Sequence, residues 1–253
     1  MSAEISVTAQ NGVQIIRIAR PQKKNALNGP MYRALSDAFR AGDADANVAV
    51  HVVFGSGGVF CAGNDMSDFL AENAKGAEGA RTGPGGEFIR TLARFGKPLV
   101  AAVEGPAVGV GTTMCLHCDL VYAAPSARFA MPFVNLGLVP EAGASLLVPR
   151  RFGMSVATEW LMLGEAIDAA RAREIGFVNA VVPAEGLVAH ALAKAKALAA
   201  KPRAALLATR KLMRGDAEAL YAHMEGELEA FARALKSPEA RAAFEAFAGR
   251  ARG

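Results

Sequence analysis

The stretch Pro98-Leu99-Val100-Ala101-Ala102-Val103-Glu104-Gly105-Pro106-Ala107-Val108-Gly109-Val110-Gly111-Thr112 decides how this chain is read. It opens with a short, continuous apolar run, as expected of a strand buried on both faces. Glycines then let the backbone turn tightly into a helical run that ends near Cys118. The first amides of a helix have no intrahelical partner and lie at the positive end of its dipole, so such a turn suits an anion or a developing oxyanion. No Gly-Lys-Ser/Thr follows, so this is not a phosphate loop. Gly109-Val110-Gly111 also lacks the third glycine and the downstream acid of a dinucleotide site.

A similar transition lies upstream. Val48 to Phe54 is another apolar, β-branched run, Ser56-Gly57-Gly58 breaks it, and Phe60-Cys61-Ala62-Gly63-Asn64-Asp65-Met66 leads toward a further helix. Either turn alone reads as a tight turn. Together they can aim two N–H donors at one oxygen.

Further out, Ile5 to Ala9 and Val13 to Ile18 alternate around Asn11-Gly12, the pattern of a hairpin. Arg20-Pro21-Gln22-Lys23-Lys24-Asn25 is a polar loop before a helix with Met31, Leu35 and Phe39 on its apolar face. Residues 71–86 show little periodicity and read as a mobile loop rather than a linker. A helix is expected around Glu87 to Phe95, and strands at Asp119 to Ala123 and Val178 to Val182. From about Glu185 the chain reads as helical, interrupted at Pro202 and Gly215. Ser237-Pro238-Glu239 opens the last helix, with proline in its first turn. Strands thus fill the first part and helices the last, with no internal repeat. The expected organisation is an α/β core over residues 1–195 and a helical region over 196–253, acting as one functional unit.

At 253 residues, 52% hydrophobic and 21% charged, the chain can bury a full core. A formal net charge of +4, from 28 basic and 24 acidic residues, favours an anionic small molecule but is too balanced for a nucleic-acid surface. No apolar run approaches the roughly 18 to 20 residues of a membrane span. The polar start Met1-Ser2-Ala3-Glu4 reads as no signal peptide, and the Ala251-Arg252-Gly253 end is not a peroxisomal address, so cytoplasmic residence is expected. Cys115 and Cys118 have C-x-x-C spacing but lie in an apolar run without a second ligand pair. They and Cys61 are expected as reduced, buried thiols, with no metal site.

Four segments, Asn25-Ala26-Leu27-Asn28, Phe60 to Asp65, Gly105 to Gly111, and Cys118-Asp119, resemble the crotonase (enoyl-CoA hydratase/isomerase) superfamily in order and spacing. The resemblance runs from the first hairpin to about residue 183. It implies a core of repeated ββα units in a spiral, a C-terminal helical region, and assembly as homotrimers or hexamers. It further implies that a thioester oxygen rests between the amides of Asn64 and Val110. Lys24, Ala26, Ala62, Asp65 and Met66 become candidate CoA contacts. CoA enters as part of the thioester substrate, and no permanently bound cofactor is expected.

Hydratases of this family carry two glutamates, at places held here by Thr113 and Phe133. Neither can supply the carboxylate pair that positions and deprotonates water. An acid appears instead at Glu141, in Asn135-Leu136-Gly137-Leu138-Val139-Pro140-Glu141-Ala142-Gly143. This arrangement resembles the peroxisomal-type Δ3,Δ2-enoyl-CoA isomerases, in which that glutamate is the catalytic base, and Val110 fits the same subgroup. The resemblance therefore implies an isomerase with Glu141 as its single base. Hydration, another crotonase reaction, or non-catalytic acyl-CoA binding are the alternatives. Phe133, Leu138 and Val139 should exclude water and raise the pKa of Glu141. By position alone, Glu141 could equally be a surface acid at the start of the helix near Gly143.

Other residues have two readings each. His117 is expected to be a buried, satisfied histidine rather than a catalytic one. Asp65 could contact CoA or cap the helix that follows. Asp68 and Glu72 could line an acyl pocket or a solvated helix face. Trp160 and Met162 look like core residues. Lys201-Pro202-Arg203 and Arg210-Lys211 could meet CoA phosphates of a neighbouring subunit or form a solvated basic face.

Overall fold

The computed structural model describes residues 2–73 and 82–250. Glu72 and most of the stretch read as a mobile loop fall outside the residues whose side chains are described.

The hairpin forms as its Asn11-Gly12 turn requires. β1 (Ile5–Gln10) pairs antiparallel with β2 (Val13–Ile18), and both turn residues have positive φ. Beyond β2 the sheet is parallel: β3 (Val50–Gly55), β4 (Leu99–Val103), β6 (Leu120–Ala123) and β9 (Ala180–Val181) complete the order β1-β2-β3-β4-β6-β9. Every residue of β4 is buried, because helices cover both faces of the sheet. A second sheet of three short strands joins β5 (Pro106–Val108), β7 (Arg128–Ala130) and β8 (Ile167–Asp168).

Helix α1 (Gly29–Ala44) starts where Asn28 accepts the Met31 amide, and it buries Met31, Leu35 and Phe39. α2 (Met66–Asn73) and α3 (Pro84–Arg94) flank the undescribed residues. The stretch 71–86, expected as a mobile loop, is helical at both described ends, where α2 runs to Asn73 and α3 starts at Pro84; the loop expected between them lies outside the described residues. Thr82-Gly83-Pro84 carries a helix-start signal that the surrounding glycines obscured: Pro84 stands in the first turn, where its missing N–H costs nothing.

α4 (Val110–Leu116) follows β5 directly. α5 (Ala144–Phe152), α6 (Met154–Thr158) and a π-helical turn over Glu159–Leu163 come next. That turn corrects one expectation. Trp160 is buried, but Met162 is 66% exposed, since the turn puts Trp160 and Leu161 inward and the next two residues outward.

α7 (Ala169–Glu174) precedes α8 (Ala184–Ala199), which buries Leu187, Ala191 and Ala195 against β3 and β4. The expected boundary between residues 195 and 196 thus falls inside one continuous helix. α8 belongs to the sheet's packing, and the helical region begins at Pro202, which caps α9 (Arg203–Arg214). α10 (Ala217–Ala234) and α11 (Pro238–Arg250) close the chain, with the Ser237 hydroxyl accepting the Ala240 amide at the start of α11.

The three arginines of α9 serve the fold. Arg203 binds the carbonyls of Ala46 and Val48. Arg210 and Arg214 both grip Asp119, which also accepts the Leu99 amide at 2.8 Å and so ties β4 to the helical region. Cys61, Cys115 and Cys118 are free and buried. No metal-binding group of acids, histidines and cysteines occurs among the described residues.

Candidate active site

The two glycine turns meet. Cys61 bridges Ala107 in parallel fashion, with Cys61 N–H donating to the Pro106 carbonyl and Val108 N–H to the Cys61 carbonyl. Leu27 bridges Asn64 on the other side. The approach is close enough to need Gly111, where an added Cβ would lie 2.5 Å from the Cys61 carbonyl oxygen. Gly63 and Gly109 have φ of 94° and 53°, and this places the following residues, Asn64 and Val110, at the bends.

Neither the Asn64 nor the Val110 amide donates to an acceptor among the described residues. Val110 is the first residue of α4, as the helix-start argument requires. Asn64 differs: α2 begins two residues later, and the Asn64 amide is left free by the bridge to Leu27, which uses the amides of Leu27 and Asp65 instead.

Asn64 and Val110 line one inner cavity, enclosing about 710 Å³ of empty space with its mouth. Glu141 lines the same cavity, although its side chain is nearly sealed from solvent. Its Oε1 accepts the Thr113 hydroxyl at 2.5 Å, and its Oε2 has no partner. Burial pushes the Glu141 carboxyl up to about 8; the Thr113 hydrogen bond opposes that rise and the charge of Glu227 adds to it. Leu27, Ile89, Phe133, Leu228 and Phe231 supply apolar walls, from the core and from α3 and α10. An outer hollow of about 1220 Å³ lies against Ala62, Gly63, Met66, Gly109, Asn135 and Phe244. Asn64, Phe69, Phe133 and Phe231 border both spaces, so Asn64 stands where they adjoin.

The site residues expected from the sequence separate into three groups. Asn64, Val110 and Glu141 come together in the inner cavity, and Glu141 is not a surface acid. Ala62 and Met66 line the outer hollow. Lys24, Ala26 and Asp65 line neither. Lys24 is exposed and its carbonyl receives the Ala62 amide, while the Ala26 carbonyl receives a guanidinium proton of Arg20. Asp65 takes the capping role: it accepts the Ser67 and Asp68 amides and pairs with Arg20 at 2.7 Å. Burial works against its charge, yet the hydrogen bonds from Ser67, Arg20 and Asp68 bring its pKa down to about 2.

Asp68 lines the cavity and also accepts the Gly29 amide at 2.6 Å. The Tyr32 hydroxyl donates to Asn64 Oδ1 at 2.5 Å, a contact no motif announced. His117 is buried and only half satisfied: Nε2 meets the Ala142 carbonyl, Nδ1 has no partner, and burial lowers its pKa to about 4. Glu227, on α10, was not singled out in the sequence either. It is buried and receives the amides of Gly143 and Ser145.

Parallel ββα units wound into a spiral, with two glycine turns converging on a cavity, define a crotonase-type architecture. Residues 8–252 match the family described as Enoyl-CoA hydratase/isomerase. The chain belongs to that family and is an acyl-CoA enzyme of the crotonase type. It is 34% identical over 230 residues to a 2,3-dehydroadipyl-CoA hydratase of Escherichia coli (strain K12), covering 90% of this chain and 89% of that one. It is also 34% identical over 229 residues to enoyl-CoA delta isomerase 2 of Rattus norvegicus, covering 89% of this chain but 58% of the rat protein. The chain thus spans little more than half the length of that isomerase. Among solved structures, an enoyl-CoA hydratase/isomerase from Pseudoalteromonas atlantica T6c superposes with a TM-score of 0.91 at 37% identity, covering 98% of this chain and 97% of that one.

Proposed function

We propose that the protein is an enoyl-CoA isomerase that moves a double bond from C3 to C2 of an acyl-CoA, with Glu141 as the single acid–base group. The observation that carries this reading is one buried carboxyl in the cavity of the two free amides, with threonine and phenylalanine at the two places where family hydratases carry glutamates.

In this reading the thioester carbonyl sits where the two spaces adjoin, the acyl chain enters the inner cavity, and CoA lies along the outer hollow. The Glu141 carboxylate removes a proton from C2. The C–H electrons pass toward the carbonyl, giving a dienolate whose charge gathers on the thioester oxygen. The amides of Asn64 and Val110 donate to that oxygen, each such donor contributing roughly 3 kcal/mol to barrier lowering. Glu141 then returns the proton to C4, and the double bond is left between C2 and C3. Nothing is gained or lost overall, so one carboxylate is sufficient. The unpartnered Oε2 of Glu141 is free to make these transfers, and Thr113 holds the other oxygen.

The same reading carries a homotrimer or hexamer, with no permanently bound cofactor and a cytoplasmic setting in which the three thiols stay reduced. Neither a membrane nor a nucleic acid belongs to it. No helix among the described residues is long and apolar enough to cross a membrane.

The test supplies 3-enoyl-CoA and 2-enoyl-CoA separately and follows the ultraviolet absorbance of the conjugated thioester. Isomerisation creates that absorbance from the first substrate, and hydration consumes it from the second. Glu141→Gln is expected to retain acyl-CoA binding and to lose turnover by at least about 100-fold. Wild-type turnover of 3-enoyl-CoA by that variant would refute the assignment.

A further inference from the structure

The turn that carries Glu141 adopts a conformation its own sequence does not favour. Ala142 and Gly143 have φ of 56° and 75°, and Ala142 is a fully buried residue with a Cβ. A side chain disfavours this left-handed region, so the conformation persists only where surrounding groups over-determine it.

Two distant side chains do so. The Nε2 of His117, at the end of α4, lies 2.7 Å from the Ala142 carbonyl, and because a carbonyl only accepts, that nitrogen carries the proton. Glu227, 84 residues beyond Gly143, accepts the Gly143 amide at 2.6 Å through Oε2. Its Oε1 accepts the Ser145 amide at 2.9 Å and the Ser145 hydroxyl at 2.5 Å. Neither side chain lines the inner cavity, so neither touches what binds there.

We infer that Glu227 and His117 are positioning residues that hold the turn over residues 142–145, and thereby keep the carboxyl of Glu141 aimed into the cavity. This rests on the reading of Glu141 as the base. A base misplaced by about 1 Å can lose a hundredfold in rate, so a clamp on the two residues after it acts directly on kcat.

The charges around the pair are few. Glu141 faces the Thr113 hydroxyl from α4 and shares its cavity with Tyr32 of α1 and Asp68 of α2. Glu227 faces Ser145 of α5 and, on its own helix, His223 at 3.5 Å. The negative charge of Glu227 acts with burial to keep the Glu141 carboxyl high. A neutral amide in its place therefore moves the ascending limb of the rate profile to lower pH, a change that loss of packing alone would not produce.

The test compares the wild type, Glu227→Gln, Glu227→Gln with Ala142→Gly, His117→Leu, His117→Gln and Glu141→Gln, using 3-enoyl-CoA across pH. Glu227→Gln is expected to lower plateau kcat roughly 10- to 100-fold with KM nearly unchanged, and to shift the limb downward. Adding Ala142→Gly, which removes the Cβ from the left-handed turn, should restore part of that loss. Should Glu227→Gln not fold, the His117 pair tests the same clamp: leucine should lower kcat, and glutamine, which still offers an N–H, should recover it. A folded Glu227→Gln or His117→Leu with wild-type kcat and an unmoved limb overturns the clamp while leaving the base in place. Full activity in Glu141→Gln overturns the base itself, and the clamp with it.

Discussion

Glu141 is held with its carboxyl pushed up to about 8 from an ordinary 4.5, chiefly by burial. Between those two pH values the folded protein binds a proton that the unfolded chain has released. Stability from this group is therefore full below about 4.5 and falls as pH rises to about 8, by roughly 1.4 kcal/mol per pH unit. Glu141→Gln, which cannot ionise, should melt at a higher temperature than the wild type at pH 8 and at nearly the same temperature near pH 4, as thermal denaturation at the two pH values would report. With Glu141 as the proposed base, the wild-type kcat/KM should rise with pH through the same region, because a base works in its ionised form. Asn64, Val110 and Glu141, which the structure brings to one cavity, each sit in a short motif that carries the family resemblance. Glu227 does not. It lies between Glu225 and Glu229 on one helix, and only tertiary contacts distinguish it: Glu225 pairs with Arg90, whereas Glu227 reaches the turn that follows Glu141.

Elements show the same division. β4 and α4 are strong local signals, and the hairpin of β1 and β2 follows from its turn. β9 falls within the strand expected over Val178 to Val182, whereas β5, β7 and β8 are two or three residues long, too short for any period to be read, and they exist through their partners. What joins the two glycine turns is also a contact between elements. Gly111 lets α4 approach the Cys61 carbonyl, and Gly111→Ala would put a methyl group 2.5 Å from that oxygen. Such overpacking typically costs about 1–3 kcal/mol. The variant is expected to lose stability by about that amount in chemical denaturation, and kcat should fall more than KM rises because the two amides move apart.

On the scale of the molecule, the sequence placed the helices last from residue 196, and the structure begins the helical region at Pro202. The reason is packing: α8 reads as just another helix, yet it is a layer of the sheet. Met154, Met162 and Leu163 form an exposed apolar cluster, with Met154 70% exposed. Clusters of this kind mark contact surfaces. Burial of this cluster in the proposed trimer predicts that sedimentation of the wild type gives a multiple of the 26.3 kDa chain and that Met162→Glu shifts it toward the monomer.

The cavity draws both amides and the carboxyl from residues up to 141, but Leu228 and Phe231 come from α10 and Phe244 of the outer hollow from α11. During synthesis the groups proposed to react leave the ribosome well before Leu228, Phe231 and Phe244. A nascent chain that stops before α10 would thus carry the proposed carboxyl and both amides without the walls that α10 and α11 add.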